Sequence, residues 1–193
     1  VQSLGHQKSA ERVLKAVDAD VSKVEFFKLK TDRNWLRDAG PQFVKNGKNE
    51  TVLINFKFNA WAKYDNYKLD AKIPAMISKK LKLDLIKAEH QNREGVLEGG
   101  SIDYNGLGTI ITTEECLMDN EIQVRNKNFS KKDYEVVFNK YLGATNVIWL
   151  NKGITGDDTH GHVDDLTRFV NPNTVVTVIE SHPNDPNYIP LME

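Results

Sequence analysis

The stretch Gly156-Asp157-Asp158-Thr159-His160-Gly161-His162-Val163-Asp164-Asp165 holds two imidazoles and four carboxylates. Groups of these types at this spacing can ligate a metal, move protons, or grip a cation. Two further acids sit in settings that suggest chemistry. Asp38 lies in Asn34-Trp35-Leu36-Arg37-Asp38-Ala39-Gly40-Pro41, and Glu98 is followed by Gly99-Gly100, where the missing side chains let a backbone come close.

The metal reading rests on His160, His162 and Asp164, which approach the His-x-His-x-Asp-His pattern of metallo-β-lactamase-like hydrolases. That pattern ends in His where this chain has Asp165, and only His182 follows as a further imidazole. A cation reading accounts for more residues. A guanidinium is planar, permanently charged near neutrality and carries five N–H donors in a fixed fork. Two carboxylates can each accept a pair of those donors, while a third carboxylate and a histidine manage protons. Such a site still needs a nucleophile for the central carbon.

Composition narrows the field. With 193 residues, 39% hydrophobic, the chain suits one domain spanning 1–193. A formal net charge of −1 gives no overall field for nucleic acid or anionic membrane, and no apolar run approaches the roughly 20 residues of a membrane span. The N-terminus Val1-Gln2-Ser3-Leu4-Gly5-His6 does not read as a signal peptide. A single cysteine, Cys116, excludes a disulfide framework, and a reducing, cytoplasmic setting is expected.

The elements that must position these groups follow a repeated order. Apolar periodicity predicts helices over 8–17, 69–81 and 129–143, the second entered near Pro74, the third with Ser130 as N-cap and Gly143 as terminator. Strands are expected over 24–29, 83–89 and 146–150. Hairpins are expected to turn at Asn46-Gly47, Asn105-Gly106 and Asn171-Pro172-Asn173. Residues after 180 read as loop. Each unit runs strand, acidic loop, hairpin, and the first two continue into a helix. Asp38, Glu98 and Asp164 each stand just before a hairpin. If equivalent loops face one way, the three carboxylates share one space. The order predicts an α/β fold: an open fragment, cut at both ends, of a closed α/β propeller, whose exposed sheet edges would favour association. Trp61 and Trp149 read as core, whereas Trp35, three residues before Asp38, reads as a site residue.

The strings WLRDAGPQFVKN, LEGGSIDYNGLGTIITTEECLM…RN and VIWLNKGITGDDTHGHVDDLTRFV resemble the agmatine deiminase family of the guanidine-modifying, pentein-fold superfamily, which also holds the bacterial peptidylarginine deiminases. The resemblance implies about three ββαβ-like units of a five-bladed propeller. It implies hydrolysis of agmatine, a small-molecule guanidine, to N-carbamoylputrescine and ammonia through a Cys-thiouronium intermediate, with no metal or organic cofactor. By motif position, Asp38 and Asp164 would hold the guanidinium. His162 would be the general acid–base and Glu98 would orient and protonate the guanidine group. Trp35 and Asp158 would line the site toward the carbon chain and distal amine. His160 stands where the family has Asp, so the resemblance makes the His-x-His incidental. The family's nucleophilic cysteine belongs to a glycine-rich segment that these 193 residues do not contain, so the chain alone is expected to lack turnover. Cys116, beside Glu114 and Glu115, is expected to have a raised pKa and a structural role. A peptidylarginine deiminase acting on C-terminal arginine is the alternative within the superfamily.

Overall fold

A computed structural model describes residues 1–192. In chain order it comprises α1 (Leu4–Ala16), α2 (Leu36–Ala39), β1 (Gln42–Lys45), β2 (Thr51–Asn55), α3 (Ile73–Leu81), β3 (Leu85–Lys87), β4 (Glu89–His90), β5 (Arg93–Glu94), β6 (Ile102–Tyr104), β7 (Thr109–Thr113), α4 (Glu114–Met118), α5 (Lys131–Leu142), β8 (Asn146–Leu150), β9 (Thr167–Asn171) and β10 (Thr174–Thr177). This is a mixed α/β fold of small sheets, with no closed barrel among the described residues.

Two units share one topology. β1 pairs antiparallel with β2, and α3 leads the chain back to β3, which lies parallel to β2. β6 pairs antiparallel with β7, and α5 leads to β8, parallel to β7. The parallel step requires a crossover, which the helix supplies. β9 and β10 form a third hairpin. The second and third hairpins turn where Asn and its neighbours predict, whereas the first closes over a longer loop, residues 46–50, whose left-handed residue is Asn49 at φ 63° rather than Gly47. At the second, Gly106 has φ 73° and Asn105 Oδ1 accepts from the Leu107 and Thr109 amides.

The α5 helix shows how local sequence fixes an element. Ser130 Oγ accepts from the Asp133 amide while the Asp133 carboxylate accepts from the Ser130 amide, a reciprocal cap. Gly143, at φ 69°, ends it. Tyr134, Val137, Phe138 and Tyr141 recur at helical spacing and enter the main core with Ile102, Ile110 and Leu117. α3 likewise carries Pro74 in its first turn, where no N–H is required. α1 begins at Leu4, earlier than its periodicity suggests, because Ser3 caps it by accepting from the His6 amide.

The expected strand over 24–29 is not formed. The Val24 amide closes the preceding turn on Val21 O at 3.1 Å, and the segment meets Val1 through Leu29 N to Val1 O at 2.9 Å and the Val1 amino group to Phe27 O at 2.8 Å. Its apolar residues suit an extended segment as well as a strand, and no ladder partner lies beside it among the described residues.

Candidate functional site

The three acidic loops converge as the repeat predicts. Asp38 sits on α2, Glu98 opens the 3-10 turn Gly99–Ser101, and Asp164 lies in the 3-10 turn Val163–Asp165. At their meeting point is His162, only 3% exposed. Its Nδ1 lies 3.9 Å from Asp38 Oδ1 and 3.8 Å from Asp164 Oδ1, and its Nε2 lies 3.7 Å from Glu98 Oε2. These are ion-pair contacts longer than hydrogen bonds, and Nε2 is a buried polar atom with no hydrogen-bond partner.

Close approach depends on Gly100. A Cβ there would run into His162 Nδ1 and stand 2.8 Å from Asp38 Oδ1. The Gly100 amide instead donates to Asp38 Oδ1 at 3.0 Å. Asp38 Oδ2 accepts from Trp61 Nε1 at 3.2 Å. Trp61 therefore belongs to both core and site, a double role that reading it as core alone misses. It sits in a turn where Ala60, Trp61 and Ala62 have φ 53°, 59° and 51°. Left-handed backbone costs a side-chain-bearing residue about 1–2 kcal/mol. The turn is held by Asn59 Oδ1, which accepts from the Ala62 amide at 3.0 Å, and by Gln123 Nε2, which donates to Trp61 O at 3.1 Å.

Arg125 is a buried partner that the sequence reading left without a role. Its Nε lies 3.2 Å from both Glu98 oxygens, Nη1 donates to Gln123 O at 2.9 Å, and Nη2 donates to Thr159 O at 2.5 Å. Only its place in the Arg125-Asn126 pair of the second motif marks it in the sequence. Asp157 is a second organiser. Its carboxylate accepts from the amides of Thr159, Gly161 and His162 at 2.8, 2.8 and 2.9 Å, so it shapes the loop that presents His162.

Electrostatics follow from this packing. Burial raises the Asp38 carboxyl, and Glu98 and Asp164 add to the rise against the opposing pull of His162 and the Gly100 amide. Burial would also raise Glu98, but Arg125 and then His162 outweigh it and hold Glu98 below its ordinary 4.5. Burial pushes the His162 imidazole down, whereas Glu98 and then Asp38 push it up and prevail over burial and Arg125, leaving it above 6.5. The result is an imidazole of raised basicity flanked by carboxylates, an arrangement that can donate and retrieve a proton.

A cavity of about 320 Å³ opens onto this cluster, lined by Trp35, Asp38, Trp61, Asp158, His162 and Asp164 among others. Trp35 is 61% exposed at its rim. Asp158 lines the cavity too, but Lys63 Nζ lies on its Oδ1 at 2.5 Å and Tyr64 Oη donates to its Oδ2 at 2.8 Å. Asp164 is also engaged, with Arg37 Nε 3.6 Å away.

The three-residue metal pattern does not assemble. His160 Nε2 lies 2.7 Å from Asp119 Oδ2, away from His162 and Asp164. Among the described residues, the group close enough to share a cation is Glu98, Cys116 and His162, with ligand atoms within 4.8 Å of one another. Arg125 already places a positive charge on Glu98, which opposes a metal ion there. The Cys116 thiol is pushed strongly up, first by burial and then by Glu98, Asp157 and Asp38. The direction matches the sequence reading and the cause does not. The acids that raise it come from across the fold, and neither adjacent residue, Glu114 or Glu115, is among its main causes.

Fold and site together define an α/β protein with repeated hairpin units around a buried carboxylate–imidazole cluster. Residues 2–193 match the Porphyromonas-type peptidyl-arginine deiminase family, and the chain belongs to that family. It is 38% identical over 175 residues to the agmatine deiminase of Ectopseudomonas mendocina, covering 88% of this chain and 45% of that protein. To the agmatine deiminase of Pseudomonas putida it is 35% identical over 192 residues, covering 96% and 49%. Among solved structures, a cysteine-to-serine variant of C. jejuni agmatine deiminase with substrate bound is similar at a TM-score of 0.78 and 34% identity, covering 94% of this chain and 52% of that one. The Enterococcus faecalis agmatine deiminase is similar at a TM-score of 0.76 and 32% identity, covering 86% and 45%. The chain spans about half the length of the curated relatives it matches.

Proposed function

We propose that this chain carries the guanidinium clamp and acid–base residues of an agmatine deiminase, built on about three blades of a pentein-type propeller in one domain. The observation that carries the reading is the convergence of Asp38, Glu98 and Asp164 on His162 at 3.7–3.9 Å. The reaction adds water to the guanidinium carbon and expels ammonia, leaving a ureido group. Asp38 and Asp164 accept N–H donors of the guanidinium, and their charge is matched there as it is nowhere in bulk water. His162, whose proton affinity Glu98 and Asp38 increase, gives a proton to the departing nitrogen and then takes one from the attacking water. Arg125 holds Glu98 ionised so that it can do so.

The step that remains is attack on carbon by a thiolate. Cys116 does not fit it, being 1% exposed with its thiol held protonated by burial. We assign that nucleophile to a cysteine outside residues 1–193. Trp35 packs against the substrate's alkyl chain, and Asp158 receives its distal ammonium.

Incubation of the 193-residue chain with agmatine, with ammonia and N-carbamoylputrescine assayed, tests the reading. Binding without turnover is expected. Turnover lost on Cys116→Ala would make Cys116 the nucleophile, and absence of agmatine binding would remove the clamp.

A further inference from the structure

We propose that Lys63 is a built-in competitor for a ligand's cationic tail at Asp158, and so sets how strongly the cavity prefers guanidines that carry an ammonium. The inference deepens the guanidinium reading and rests on it.

Asp158 shares its cavity with Asp38, His162 and Asp164. A ligand anchored by its guanidinium among those three therefore extends its tail along the same cavity wall. Both Asp158 oxygens are taken within the chain, Oδ1 by Lys63 at 2.5 Å and Oδ2 by Tyr64 at 2.8 Å. The pair is open to water, with side chains 38% and 61% exposed, so parting it strands no buried charge. Nor does the turn depend on it. The Lys63 amide still donates to Ala60 O at 3.1 Å, and Asn59 and Gln123 still hold the Ala62 amide and the Trp61 carbonyl. Gln123 Nε2 also donates to Asp158 O at 3.2 Å, which ties the Lys63 turn to the Asp158 loop and keeps the two charges in register.

An incoming ammonium thus finds its acceptor already occupied by an ammonium. It gains one ion pair and breaks another of the same kind, while Lys63 returns to solvent. A neutral tail meets no such competition. Lys63 is a specificity-determining residue in this sense, without touching the reacting carbon.

Calorimetric titration of the 193-residue chain with agmatine and with butylguanidine, which lacks the tail ammonium, tests this. Lys63→Met should tighten agmatine by roughly two- to fivefold, the scale of an exposed ion pair, and leave butylguanidine unchanged. Lys63→Arg retains the cation and should restore wild-type behaviour. Adding Asp158→Asn to Lys63→Met should abolish the gain. An unchanged agmatine-to-butylguanidine ratio in Lys63→Met, with butylguanidine still bound, overturns the competitor role and leaves the guanidinium reading standing. If butylguanidine does not bind the wild-type chain, both fall.

Discussion

Glu98 and His162 face each other 3.7 Å apart at 0% and 3% side-chain exposure, and the imidazole nitrogen between them has no hydrogen-bond partner. Against the opposing effect of burial, Glu98 and then Asp38 raise the imidazole above 6.5, while Arg125 and then His162 hold the carboxyl below 4.5. His162 therefore contributes stability that is fully present below its unfolded value and lost as pH rises through its folded value. Glu98 contributes stability that is present above its unfolded value and lost as pH falls through its folded value. Thermal melts from pH 4 to pH 9 should show a decline above about pH 6.5 that is absent in His162→Phe. The same decline in that variant would assign it to another group.

Arg125 should be the most costly buried charge to remove. Arg125→Met takes from buried Glu98 its main counter-charge, leaving only His162 at 3.7 Å to face it, and should destabilise by about 3–5 kcal/mol in urea unfolding. Adding Glu98→Gln should restore much of the loss, since the stranded charge is then gone. Additive losses in the double variant would show that the two residues act independently.

Gly100→Ala should both destabilise the chain, by about 1–3 kcal/mol, and disturb the site, because its Cβ would enter the space of His162 Nδ1 and Asp38 Oδ1. Urea midpoints and butylguanidine affinity measured together check this. Gly47→Ala is a control, since nothing lies within 4 Å of a Cβ there. Equal effects at the two glycines would contradict the packing argument.

Cys116 should resist alkylation in the native chain. At 1% exposure with a strongly raised thiol, it should react with iodoacetamide only as fast as the core opens. Labelling should accelerate with urea in step with unfolding. Rapid labelling of the folded chain would contradict its burial.

Much of this site was legible because its acids obey the repeat. Asp38, Glu98 and Asp164 each precede a hairpin, and hairpins announce themselves through Asn and Gly at the turns. The glycines after Glu98 signalled a close approach, and Gly100 does meet His162. The α5 helix was readable from Ser130, Gly143 and the spacing between them. What stayed hidden depends on pairing across the chain. Arg125 meets Glu98 from 27 residues away, and Lys63 meets Asp158 from 95 away. A lone Arg or Lys carries no mark of its partner. The Trp61 indole reaches Asp38 through a run of left-handed residues, Ala60-Trp61-Ala62, that contains no glycine to announce it. The 24–29 segment was misread because strand pattern reports exposure on two faces and says nothing of whether a ladder partner exists.

On the proposed function, the cluster around His162 receives a guanidinium. Calorimetric titration of the chain with butylguanidine, in wild type and Asp164→Asn, tests it most directly. One saturable site is predicted, weakened roughly 10-fold or more by Asp164→Asn, which keeps an acceptor oxygen but removes the negative charge facing the guanidinium. Equal affinity in the two proteins, or no binding to the wild type, would contradict it.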